Sequence, residues 1–115
     1  MNLSAQLMTL NKNLALSRVG GDEELFQEIA SIYLEEYPAL VAEIERAVRS
    51  GDASGLTNSA HTLKGSAGAV GGEVAAHYAL QLETMGRQSR LDGAAEALEA
   101  LRQALDSLKA ELAAA

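Results

Sequence analysis

The chain has 115 residues, 48% of them hydrophobic but only 3% aromatic, with no cysteine, one proline and a formal charge of −7. That length supports one domain with a modest core, and the acidic balance argues against nucleic acid and anionic membrane surfaces, which both select basic faces. Without cysteine there is neither a disulfide framework nor a thiolate metal site, and no run reaches the roughly 18 apolar residues that suggest a membrane span.

Alanine and leucine dominate the apolar residues, a composition that favours helices packed at close range over a sheet. Residues 1–20 are weakly apolar, with Leu3, Leu7, Leu10, Leu14 and Leu16 partly at helical spacing. They lack the basic start and small-residue cleavage site of a signal peptide, so a cytoplasmic location is expected. Gly20-Gly21 breaks the chain, and Asp22 is placed to cap a helix whose first turn carries Glu23 and Glu24. Leu25, Phe26, Ile29, Ile32 and Tyr33 follow at helical spacing as far as Tyr37. Pro38 lacks an amide proton and disfavours helical geometry in the residue before it, which predicts a kink or a new start there. Leu40, Val41, Ile44 and Val48 carry the stripe on to Ser50-Gly51.

Asp52 caps the next expected helix, which runs to about Gly71; Gly71-Gly72 then forms a turn. A further helix spans roughly Glu73 to Gln88, with Val74, Tyr78, Leu82 and Met85 inward. After a break over residues 89–93, Leu98, Leu101, Leu105, Leu108 and Leu112 mark the last amphipathic helix. No strand-like alternation occurs. Short connections between long amphipathic helices predict an all-α, antiparallel up-down-up-down four-helix bundle with a short N-terminal helix over one end.

One segment is unusual. In Ala60-His61-Thr62-Leu63-Lys64-Gly65-Ser66-Ala67-Gly68-Ala69-Val70-Gly71, positions His61, Lys64, Gly65 and Gly68 share one helical strip. Leu56, Ala60, Leu63, Ala67 and Val70 form the core stripe on the other side. Two interior glycines destabilise a helix by about 2 kcal/mol relative to alanine. They are explained by close packing of another helix, by a helix that stops near Lys64, or by clearance for a visiting protein around an exposed imidazole. Their phase with the histidine favours clearance. Neutral histidine is a nucleophile, and a lysine one turn away could reach a phosphoryl oxygen on its ring, although a solvated lysine explains Lys64 as well. A nucleophile, a cation and a cleared surface suggest phosphoryl transfer more than hydrolysis.

His61-Thr62-Leu63-Lys64-Gly65-Ser66-Ala67 with Val70-Gly71 resembles the signature of histidine-containing phosphotransfer (HPt) domains of bacterial multistep phosphorelays. Gly20-Gly21-Asp22-Glu23-Glu24-Leu25, Tyr33-Leu34-Glu35-Glu36-Tyr37-Pro38, Ser50-Gly51-Asp52 and Leu82-Glu83 resemble the family pattern too, so the likeness covers roughly residues 12–112 of the single domain. The resemblance implies that His61 takes a phosphoryl group from a receiver-domain phosphoaspartate at Nε2 and passes it to another receiver. Lys64 then assists the phosphoryl group. Gly65 provides clearance, and Gly68 and Ala67 join it in the partner face together with residues 33–39. Counting along the next helix, the family's orienting polar residue falls at Glu83, able to accept a proton from Nδ1 and leave Nε2 free. Gln81 is the substitute, and an ordinary surface glutamate remains the plain reading of Glu83.

The implied protein is a stoichiometric, monomeric phosphocarrier, free-standing or cut from a hybrid sensor histidine kinase. It needs no cofactor or metal of its own, since the divalent metal belongs to the partner receiver. Two rivals stand beside it: an all-helical interaction module never phosphorylated, and a domain phosphorylated directly by a histidine kinase. Other signals fail. Lys64-Gly65-Ser66 has the wrong order and context for a P-loop, and glycines at 65, 68 and 71 do not make a dinucleotide fingerprint. His77, expected on the surface away from Glu83, makes no metal site with His61.

Overall fold

The computed structural model describes residues 6–115, so Leu3 of the N-terminal stripe lies outside the described residues. Five helices follow in order: α1 (Lys12–Arg18), α2 (Glu23–Ser50), α3 (Ala53–Ala69), α4 (Glu73–Arg87) and α5 (Ala94–Ala114). No strand occurs among the described residues. The helix starts are where short polar side chains satisfy free amides: Asp22 accepts from the Leu25 amide at 3.0 Å and Asp52 from the Gly55 amide at 2.9 Å. α2 ends on Gly51, whose φ of 71° is the left-handed conformation that closes a helix at little cost for glycine.

The four long helices run up, down, up and down, and α1 lies across the end where α3 meets α4. There the Asn11 amide donates to the Gly71 carbonyl at 2.7 Å, and Lys12 Nζ reaches Glu23 Oε1 at 2.7 Å and the Ala115 carbonyl at 3.2 Å. The core is the set the leucine and alanine stripes predict: Phe26, Ile44, Leu56, Leu63, Val70, Leu82, Leu101 and Leu108 are essentially inaccessible. Among the described residues no helix is long and apolar enough to cross a membrane.

Of the two outcomes expected at Pro38, one is excluded. No new helix starts at Pro38; α2 is continuous for 28 residues with the proline inside it. Proline removes one hydrogen bond and crowds the preceding turn, but Pro38 is exposed. Tyr33, Tyr37, Val41 and Ile44 bury a single stripe on both sides of it, and that burial holds the helix together.

Small residues let α3 and α4 approach closely. A Cβ on Gly86 would collide with Thr57 Oγ1 and would stand 2.8 Å from both the Ala53 carbonyl oxygen and the Thr57 amide nitrogen. Ala60, Ala67, Ala75 and Ala79 are buried along the same two helices. Gly86→Ala should therefore destabilise the protein by about 1–3 kcal/mol, the usual scale for overpacking, despite alanine's better helix propensity. Urea unfolding measures it, and an equal or higher stability would show that the helices can separate at no cost.

Candidate functional site

His61 sits in the middle of α3, half a turn away from the core stripe of Leu56, Ala60, Leu63 and Ala67, and its side chain is 61% exposed. The close approach of α3 and α4 brings Glu83 beneath it. Glu83 is a charged residue in the interior, its side chain only 3% exposed. His61 Nδ1 stands 3.1 Å from Glu83 Oε2. An ionised carboxylate can only accept, so Nδ1 carries a proton, and in the neutral ring the lone pair is then on Nε2. No described residue bonds Nε2. Gln81, the substitute orienter, instead pairs with His77 Nε2 at 3.2 Å. His77 is half-buried and edge-on to Tyr78 rather than fully at the surface.

Two further side chains converge on the same carboxylate. Arg87, one turn along α4, donates to Oε2 from Nη2 at 2.6 Å and from Nε at 3.1 Å. Lys64 Nζ lies 2.7 Å from Oε1, a direct ion pair. Lys64 contact, then burial acting in the opposite sense, then Arg87 and His61 set the balance, and the carboxyl is held well below its ordinary 4.5, at about 2. A buried carboxylate so paired is tolerable; unpaired, it would be strongly destabilising. Lys64 in this structure is thus engaged with Glu83, whereas the sequence left it as a solvated or phosphoryl-facing lysine.

Two of the three explanations for the glycines fall away. α3 continues to Ala69, so the helix does not stop at Lys64, and a Cβ on Gly65 or Gly68 would meet nothing within 4 Å, so no helix packs there. The Gly68 carbonyl accepts from Arg18 Nη1 of α1 at 2.9 Å, which places an exposed cation at the end of the strip. Ala67 is a correction: it is fully buried and cannot belong to a contact face. Its phase lies with Ala60 and Leu63, and the core claims it.

Beyond the glycines, Ser66 and Ala69 of α3 meet Ile29, Ile32, Tyr33 and Glu36 of α2 around a shallow groove of about 250 Å³. Ile32 is exposed, and the buried Tyr33 hydroxyl has no partner. Tyr33 stacks on Tyr37 with ring centres 5.1 Å apart, and burial pushes its phenol well above the ordinary range. Of the expected α2 segment, then, Tyr33 supplies a wall rather than an open surface. No group of three or more histidine and acidic side chains placed to hold a metal ion occurs among the described residues.

Arg87 and Arg18 were not singled out by the sequence reading. Arg87 had a signal, since it follows Glu83 by four residues, a spacing that pairs charges on a helix. Arg18 had none: fifty residues separate it from Gly68.

Residues 28–111 match the Hpt domain family, inside the stretch of about 12–112 that carries the motif likeness. In structure the chain is similar to histidine-containing phosphotransfer protein B (HptB) from Pseudomonas aeruginosa PAO1, with a TM-score of 0.82, 20% identity and coverage of 90% of each chain. At that identity the likeness speaks for the fold. No curated protein matches the sequence.

The depressed carboxyl gives a pH signature. Because Glu83 is more acidic folded than unfolded, its ionised form stabilises the protein fully above about pH 4.5, and this contribution is lost as pH falls toward about 2. Glu83→Gln removes that component. The stability difference between wild type and variant, from urea unfolding at successive pH values, should therefore change across pH 4.5 to 2. A constant difference would mean that Glu83 is not ionised in the interior.

Proposed function

The chain belongs to the Hpt domain family, and from that premise we propose that His61 is the residue that carries the phosphoryl group, receiving it from a receiver-domain phosphoaspartate and handing it to a second receiver. Hpt domains have a histidine phosphotransfer role and are phosphocarriers rather than enzymes. The observation that carries the residue-level reading is the pairing of an exposed imidazole with a buried carboxylate through Nδ1 at 3.1 Å.

That pairing supports a definite sequence of bonds. The Nε2 lone pair attacks the phosphorus in line, the P–O bond to the aspartyl oxygen breaks, and the aspartate leaves as a carboxylate. The ring becomes an N-phosphoimidazolium that keeps its Nδ1 proton. Glu83 accepts from that N–H, so the positive charge forms against a fixed negative one and needs no solvent rearrangement. In the second transfer the electrons of the N–P bond return to Nε2, and the leaving group is neutral imidazole because the proton stayed on Nδ1. The carrier contributes a held nucleophile and local charge; the divalent metal belongs to the receiver.

For the contact face we propose the open strip of Gly65 and Gly68, continued by Ala69 and Ser66 into the groove edged by Ile29 and Ile32 of α2. A surface that small and half apolar suits a transient complex.

Mixing the protein with a phosphorylated receiver should put acid-labile label on the wild type and none on His61→Gln. Label that persists in His61→Gln would sink the assignment, and label that arises only with a kinase and ATP would move the donor from receiver to kinase. The glycines separate stability from transfer. Gly65→Ala, with open space for its Cβ, should raise stability by about 1 kcal/mol, read from thermal unfolding. Gly65→Leu should leave the helix content unchanged, read by circular dichroism, and slow transfer by about a hundredfold by crowding the receiver off line, followed by quenched-flow labelling. An unchanged rate would remove the glycine from the contact face.

A further inference from the structure

Glu83 has more cation than it needs. One carboxylate, with 3% of its side chain exposed, receives Arg87 on Oε2 and Lys64 on Oε1 as well as the Nδ1–H of His61. A buried carboxylate requires one compensating charge. The second has another use.

The two cations differ in how they are held. Arg87 makes two hydrogen bonds to Oε2, from Nη2 at 2.6 Å and Nε at 3.1 Å, the same oxygen that receives His61 Nδ1 at 3.1 Å. Its side chain is 62% exposed and projects from the last turn of α4. Lys64 makes one close contact, with Oε1 at 2.7 Å, and stands one turn from His61 on the same strip. An ammonium is a compact charge on a flexible stem, whereas a guanidinium that bonds through two nitrogens is fixed in plane.

A phosphoryl group on Nε2 brings about two negative charges to the exposed side of the ring. Lys64 is then drawn by two anions, one buried below the histidine and one newly arrived beside it. If it were the only partner of Glu83, its departure would strand a buried carboxylate. With Arg87 in place it does not.

We infer that Arg87 is a positioning residue of the phosphotransfer site: it stays on Glu83 and so releases Lys64 to follow the phosphoryl group. Arg87 touches neither the phosphoryl group nor the reacting nitrogen, and acts through Glu83 on both His61 and Lys64. The inference rests on His61 being the phosphorylated residue. Its consequence is specific: Arg87 matters only because residue 83 is charged. With a neutral amide at position 83, Lys64 is free from the start and Arg87 has nothing to balance.

The test is a double-mutant cycle on the complete chain, with transfer from a phosphorylated receiver as readout. Arg87→Ala should slow transfer on the order of tenfold, the scale of a lost orienting partner. Glu83→Gln with Arg87→Ala should transfer within about twofold of Glu83→Gln alone, because independent sites add and coupled ones do not. The 15N shifts of the His61 ring give a second readout. Wild type should hold the proton on Nδ1, and Arg87→Ala, with Glu83 then occupied by Lys64, should keep that tautomer while losing rate. A wild-type rate in Arg87→Ala, or single effects that simply multiply in the double variant, overturns the inference and leaves the role of His61 standing. Absence of label on wild type, or label that survives His61→Gln, overturns the role of His61 and this inference with it.

Discussion

The site depends on how closely α3 and α4 approach. That distance is set by what is missing: Gly86 offers no Cβ where Thr57 and the Ala53 carbonyl come in, and alanines line the buried faces above it. Larger side chains would separate the two helices by enough to part His61 from Glu83, whose 3.1 Å contact tolerates little change. A rigid base for the nucleophile is therefore a packing property, distributed over residues that carry no chemistry. Helices are better suited to this than loops, because each side chain inherits its position from the whole element.

A carboxylate beneath the imidazole brings both an advantage and a demand. It fixes the Nδ1 tautomer, and under the proposed transfer it would face the positive charge that a phosphoryl group on Nε2 puts on the ring. In return it must be compensated, since burial alone would favour the neutral acid. Lys64 and Arg87 supply that compensation from two different helices, and the carboxyl is held at about 2, ionised throughout the range in which proteins work. The cluster of Glu83, Lys64 and Arg87 is one unit of charge, and His61 is its exposed outlet.

On the outside the molecule does the opposite and removes material. Gly65 and Gly68 lie in open space at a real cost in helix stability, and nothing within the fold repays it. That open space is what the proposed partner face requires. The groove that continues from the strip toward α2 has an exposed isoleucine on one side and a tyrosine hydroxyl without a partner in its wall.

Much of this was legible in the sequence because helical periodicity is a local property. The phase of His61, Lys64, Gly65 and Gly68 against Leu56, Ala60 and Leu63 needs only the 3.6-residue repeat, and so do the boundaries marked by Asp22, Gly51 and Asp52. The motif then pointed to the phosphotransfer family and to Glu83. At Pro38 local chemistry left a kink or a new start open, and the buried stripe on both sides of the proline keeps α2 in one piece. Ala67 differs: its phase already placed it on the core stripe, and burial removes it from the partner face to which the family likeness assigned it. Arg87 follows Glu83 by one helical turn and was legible in that spacing. That Lys64 reaches Glu83 was decided by tertiary structure alone, because it lies nineteen positions away on another helix and only the packing distance of α3 and α4 joins them. Arg18 on Gly68 belongs to the same class. Sequence determined which residues face outward and which face inward; only the fold decided which charges meet, since burial and Coulomb energy depend on separation in space and not along the chain.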